Sequence, residues 1–230
     1  MKCTPLIAFG ASVVLAPFAS AELLASYVTQ GVSGNAAQWN GAGGFATTAL
    51  PAVRGAGLGL AGGFNQFAAT GVATTSSLSL ANNDYVRFGF TLSPSAGAEY
   101  AVTEFRATCG SAGVGSTGMQ YQVWAFLPDQ APFALHAPAS MGPPASRVDI
   151  LLGNLPGNAI VFPGQTAEFR VYFWGASAAQ NTIAFISDGN AQVPDTSISG
   201  IPVPGPGGLL AAAGMAGVGA IRRRRVRVVR

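Results

Sequence analysis

His136 is the single histidine of the chain, and nine carboxylates and two cysteines complete its reactive inventory. A Ser-His-Asp arrangement is formally open because serines and aspartates abound, but no Gly-x-Ser-x-Gly elbow supports it. His136 lies between Leu135 and Ala137 in a proline-rich stretch and reads as a surface-loop histidine. Zinc needs several His or Cys ligands, and one of each in the body cannot close a site. Glycoside hydrolysis needs two carboxylates held about 5–10 Å apart. Glu99 and Glu104 share a strand region, but their odd spacing predicts opposite faces, and Glu168 reads as a surface partner of Arg170. Asn82-Asn83-Asp84 and Asp188-Gly189-Asn190 are oxygen-rich enough for calcium, yet neither reaches the EF-hand pattern and ordinary turn use explains both. Three tryptophans remain, Trp39, Trp124 and Trp174. Trp174, with Tyr172 on the same side of its strand, is the candidate glycan contact; packing against a second sheet accounts for it equally well.

The elements that must position these groups are strands. Few charges, abundant Gly, Ala, Ser and Thr, and short alternating runs between turn residues predict an all-β sandwich or barrel. The clearest strand is 84–93, where Val86, Phe88, Phe90 and Leu92 form an apolar face opposite Tyr85, Arg87, Gly89 and Thr91. In 167–174, Phe169, Val171 and Phe173 oppose Glu168, Arg170, Tyr172 and Trp174. In 119–127, Tyr121, Val123 and Ala125 alternate with Gln122, Trp124 and Phe126. Further strands are expected at 23–28, 45–47, 57–60, 74–80, 100–109, 148–155, 159–162, 182–187 and 192–198. Residues 81–84 are expected as a turn, 110–118 as a glycine loop and 128–144 as a proline loop. The body closes at Ser199-Gly200.

Both ends differ from this body. Residues 1–21 read as a secretory signal peptide: Lys2 supplies the leading charge, Leu6 to Phe18 the apolar run, and Ala19-Ser20-Ala21 the small-x-small cleavage site. Signal peptidase would leave Glu22 first. Cys3 precedes the apolar run and is no lipoprotein cysteine, so Cys109 alone remains and no internal disulfide can form. At the other end a Pro/Gly hinge begins at Ile201. An uncharged run follows from Leu209 to Ile221, and then a basic block, Arg222, Arg223, Arg224 and Arg225, with Arg227 and Arg230 behind it. Such a run can enter a bilayer, and the arginines mark the side that stays in the cytoplasm. As a helix, 207–221 covers only about 22 Å of a roughly 30 Å hydrocarbon core. It therefore reads as a short anchor to be recognised and cut. Between Glu22 and Pro204 five arginines face nine acids, a net charge of −4. The whole-chain value of +3 thus belongs to the two ends, and nothing in the body suggests nucleic-acid binding.

The tripartite tail resembles the PEP-CTERM sorting signal, in which a short proline motif, a small-residue hydrophobic helix and a terminal arginine cluster mark substrates of exosortase-type transpeptidases. Val203, Pro204, Gly205 and Pro206 stand where the motif is expected, with Gly205 in the place of its glutamate. An ordinary tail anchor is the plainer alternative. Asp84-Tyr85-Val86-Arg87-Phe88 and Phe169-Arg170-Val171-Tyr172-Phe173-Trp174-Gly175-Ala176 resemble the jelly-roll-like β-sandwich bodies that precede such tails. The resemblance implies an all-β, jelly-roll-like sandwich over 22–200, a signal peptide over 1–21 and a single hydrophobic helix in a sorting tail over 201–230. Its partners would be signal peptidase, an exosortase-like transpeptidase and, before processing, the membrane. The expected role is non-enzymatic, structural or adhesive, at the cell surface or in extracellular matrix, with no cofactor. The alternative is a carbohydrate-binding module on the same sandwich, with polysaccharide as partner.

Overall fold

The computed structural model describes residues 20–28, 32–34, 36–44, 46–61, 66–113, 116–153, 155, 159–177, 181–186 and 195–203. The first strands are β1 (Glu22–Tyr27), β2 (Gln38–Trp39), β3 (Ala42–Gly43), β4 (Thr47–Ala49), β5 (Ala52–Arg54), β6 (Gly59–Leu60) and β7 (Ala68–Thr70). A short helix, α1 (Ser76–Asn82), leads into β8 (Tyr85–Leu92), β9 (Glu99–Ala112) and β10 (Gln120–Phe126). Then come β11 (Phe133–Ala134), β12 (Ala139–Ser140), β13 (Arg147–Gly153), β14 (Ile160–Val161), β15 (Thr166–Trp174), β16 (Thr182–Phe185) and β17 (Thr196–Val203).

These strands form two antiparallel sheets packed as a β-sandwich. The first runs β3-β1-β17-β9-β16-β7-β6, with β13 and β14 also paired to β9; the second runs β11-β10-β15-β8-β5-β2, with β12 on β10 and β4 on β8. Alternation in the sequence decides which side of each strand is buried. Val86, Phe88, Phe90 and Leu92 turn inward from β8, Val123 and Ala125 from β10, and Phe169, Val171 and Phe173 from β15. Phe88 is the centre of the ring cluster, 5.1 Å from Tyr27 and 5.0 Å from Phe185 between centroids.

Tyr27 bolts the sheets together. It rises from β1 of the first sheet and its single hydroxyl proton faces the carbonyls of Leu50 and Gly89 at 2.7 and 2.9 Å. Its oxygen accepts the Gly89 N–H of β8 at 3.1 Å. Burial pushes this phenol up to about 12. Arg54 ties the loops in a similar way. Its guanidinium donates to the carbonyls of Ala68, Ala36 and Gly34 at 2.6, 2.6 and 2.9 Å and lies 4.0 Å over the Phe67 ring. Burial brings it down to about 10.

Four local expectations are corrected. Residues 76–82, inside and just past the predicted 74–80 strand, are helical. Thr75 accepts the Ser79 N–H at the helix start, and Asn83 takes the left-handed conformation (φ 62°) that ends it, so end signals override a short alternating run. The strand expected to stop at Cys109 continues as β9 to Ala112. Gly110 is there for close approach and not for a loop, since a Cβ would stand 2.4 Å from Ile186 Cδ1 and 2.7 Å from Ser146 O. Glu99 and Glu104 do not alternate to opposite faces. The β17 register slips between Ser199 and Gly200, leaving Thr103 unopposed, and both glutamates are half-exposed. Last, β17 runs through Ile201 and Pro202 to Val203, residues expected in the hinge. Pro202 is tolerated because β1 ends at the Glu22–Gly200 pair, so beyond it β17 is bonded on the β9 side alone.

Candidate functional site

Two regions merit a functional reading. The first is the outer face of the second sheet, opposite the core. Strand register sets its rows: Gln122, Tyr172 and Tyr85 lie side by side, then Trp124, Arg170 and Arg87, then Phe126 and Glu168. Arg170 is the hub. Its guanidinium lies 3.8 Å from the Phe126 ring centroid and 4.7 Å from that of Tyr85, while its Nη2 donates to Glu168 Oε2 at 3.0 Å. Arg87 Nη1 reaches the other oxygen of Glu168 at 3.3 Å. Burial works against the Arg170 charge, yet its bond to Glu168 and its neighbours hold the guanidinium above its usual range. Tyr85 and Tyr172 meet edge-on at 5.2 Å, and Trp124 meets Tyr172 at 6.3 Å. A shallow cleft of about 340 Å³ continues this face past Phe126 and Glu168 to Pro128, Gln130, Pro132 and Gln165.

Of the two candidate glycan contacts, Tyr172 is 5% exposed and Trp174 is 7% exposed. Trp174 is bridged to Ala73, and α1 packs against β15. The half-exposed rings are those of Tyr85, Trp124 and Phe126, which the sequence reading did not single out. The signal was present in 120–126, where Gln122, Trp124 and Phe126 fall on the side opposite Tyr121, Val123 and Ala125.

The second region is the pole at which both ends of the body emerge. Ala21 is exposed, and Glu22 opens β1 directly after it. Glu22 is paired with Gly200, and Val203, at the end of β17, with Glu99. A cleft of about 530 Å³ is lined here by Glu22, Ser93, Ser95, Tyr100 and Pro202, among others. The Tyr100 hydroxyl donates to Glu22 Oε2 at 2.8 Å; burial, then this carboxylate, raises the Tyr100 phenol. Ala19, Pro204, Gly205, Pro206 and Arg222 to Arg225 lie outside the described residues, as does the turn at 188–190.

The remaining candidates fall into packing roles. His136 is half-buried; its Nε2 accepts the Val123 N–H at 3.0 Å and its Nδ1 donates to Ala137 O at 2.5 Å, so the ring is neutral and straps the proline-rich loop to β10. Burial lowers its proton affinity below the ordinary imidazole range. Cys109 is fully buried against Met141, and burial pushes its thiol up to about 12. Asp84, from the oxygen-rich turn at the end of α1, is buried; its Oδ2 accepts the Ala73 N–H at 2.9 Å, and burial raises its carboxyl. Among the described residues no three His, Cys, Asp or Glu side chains gather as a metal site, and no helix is long and apolar enough to cross a membrane.

No protein-family model matches the chain. No curated protein matches it either. Among solved structures, an arabinose-bound GH51 α-L-arabinofuranosidase is similar at 16% identity and a TM-score of 0.30, over 80% of this chain and 27% of that one. This chain spans about a quarter of that enzyme's length, and overlap at this level does not bear on substrate or activity.

Proposed function

We propose that the chain is a non-enzymatic exported protein, cut by signal peptidase after Ala21, held at the membrane by its tail and passed by an exosortase-like transpeptidase to the cell surface or extracellular matrix. There it has a structural or adhesive role. The observation that supports this reading is at the front end, where the first strand opens at Glu22, the residue directly after the small-x-small site. The first and last strands are neighbours, which suits a jelly-roll-like body that closes ahead of its tail. The test is mass spectrometry of the native protein. The expected mature chain starts at Glu22 and lacks the arginine cluster; a full-length cytosolic chain with Met1 and Arg230 intact would refute the reading.

A second reading, carbohydrate binding, is favoured by the half-exposed rings and paired arginines of the outer face. Aromatic rings stack on the apolar face of a sugar, and Tyr85, Trp124 and Phe126 are the half-exposed rings of this face. In a glycan array with residues 22–203, saturable binding lost in Trp124→Ala and retained in Trp174→Ala is the expected signature. A blank array rejects this second reading and leaves the first standing.

A further inference from the structure

Across one end of the first sheet, four neighbouring strands bring unlike parts of the chain together. Glu22 of β1 faces Gly200 of β17, Val203 of β17 faces Glu99 of β9, and Val161 of β14 faces Tyr100 on the other side of β9. The loop 93–98 and the Glu22–Tyr100 cleft sit at the same end. So do two of the large apolar side chains exposed among the described residues, Leu23 at 43% and Phe162 at 45%. Only five residues, 204–208, separate Val203 from the uncharged run that begins at Leu209. Fully extended, that connection reaches roughly 20 Å. The other membrane-directed segment joins the body at Glu22, beside the same pole.

We infer that this pole is the surface that rests on the lipid headgroups while the tail is uncut. The inference depends on the anchoring role proposed above and adds an orientation to it. Once signal peptidase has cut after Ala21 the tail is the remaining attachment, and its short tether holds this end at the bilayer and turns the opposite end outward. Phe162 and Leu23 supply the apolar contacts. Glu22 and Glu99 make the rim acidic, so the matching surface is neutral lipid and not an anionic one.

The test uses residues 22–230, the chain left by signal peptidase, reconstituted in phosphatidylcholine vesicles carrying a headgroup spin label. A bimane is placed at either Gly97→Cys or Ser77→Cys. Gly97 is exposed and nothing lies within 4 Å of the position a Cβ would take, whereas Ser77 is in α1, beyond the far end of β8. The eight residues of β8 put about 25 Å between the two ends. Cys109 is buried and takes no label. Bimane at residue 97 should lose most of its fluorescence and bimane at residue 77 should keep it. Phe162→Glu should weaken the quenching at 97 while the chain still floats with the vesicles. Equal quenching at both positions, or none at 97 in a chain that floats, overturns the orientation and leaves the anchor intact. A chain that does not float removes the anchor and this inference together.

Discussion

The two faces of the second sheet are made by the same strands and differ in what their aromatic rings touch. On the inner face Phe88, Phe169 and Phe173 are fully buried, and Phe88 meets Tyr27, Phe105 and Phe185 across the sandwich and Trp39 from its own sheet. On the outer face Tyr85 and Phe126 flank a guanidinium that also holds a carboxylate. Ring content therefore does not separate core from surface in this protein; the partner does. Inner rings are fixed by shape, and each loses many contacts if truncated. The outer rings Tyr85 and Phe126 lie against a charge that solvent still reaches.

The largest effect that would break this contrast is expected at the centre of the core. Phe88→Ala removes a fully buried ring and should cost about 3–5 kcal/mol of stability, read from urea unfolding of residues 22–203. A loss under about 1 kcal/mol would mean that the inner face is no better packed than the outer. Tyr27→Phe keeps the ring and deletes the bolt between sheets. Leaving the buried Gly89 and Leu50 groups short of a partner should cost about 1–3 kcal/mol, with the core fluorescence unchanged.

Smaller effects belong to the outer face. Arg170→Ala removes two cation–π contacts and one ion pair that is about one-fifth exposed, and should cost roughly 1 kcal/mol. Part of that loss should fade in high salt, which no inner-face substitution should show. The smallest effect concerns His136. Burial holds its proton affinity below the ordinary 6.5, so as pH falls the unfolded chain takes up the proton first. Its contribution is full above pH 6.5 and drains away between 6.5 and the lower folded value, because an imidazolium cannot accept the Val123 N–H. The unfolding midpoint should fall modestly from pH 7 to pH 5 in the native chain, and His136→Leu should lessen that slope. An unchanged slope would place the pH dependence in the carboxylates.

The strands over 85–92, 120–126 and 166–174, with their buried sides, were legible because alternation was strict and the inward residues were large and apolar. The 76–82 segment was not, because its short run of Ser, Leu and Ala fits either period and the outcome rested on Thr75 and Asn83 at its ends. The faces of Glu99 and Glu104 were misread because a slip in the register of β17 resets the alternation, and a slip depends on a strand nearly one hundred residues away. The outer-face platform was half legible. The sequence put Trp174 and Tyr172 on the right side of β15, but exposure depends on what packs nearby, and only Tyr85, Trp124 and Phe126 stay half-open.

By itself, the sequence determined the side of each strong strand that turns inward and the lengths of the apolar and basic segments at the two ends. These are local properties, set by the period of the backbone and by the solvation of single side chains. Tertiary structure alone decided which strands are neighbours. It set Glu22 against Gly200, put Arg170 between Phe126 and Tyr85, and carried the Tyr27 hydroxyl across to Gly89. Each of these joins residues far apart in the chain, and their meeting is fixed by how whole sheets bury their apolar faces against one another.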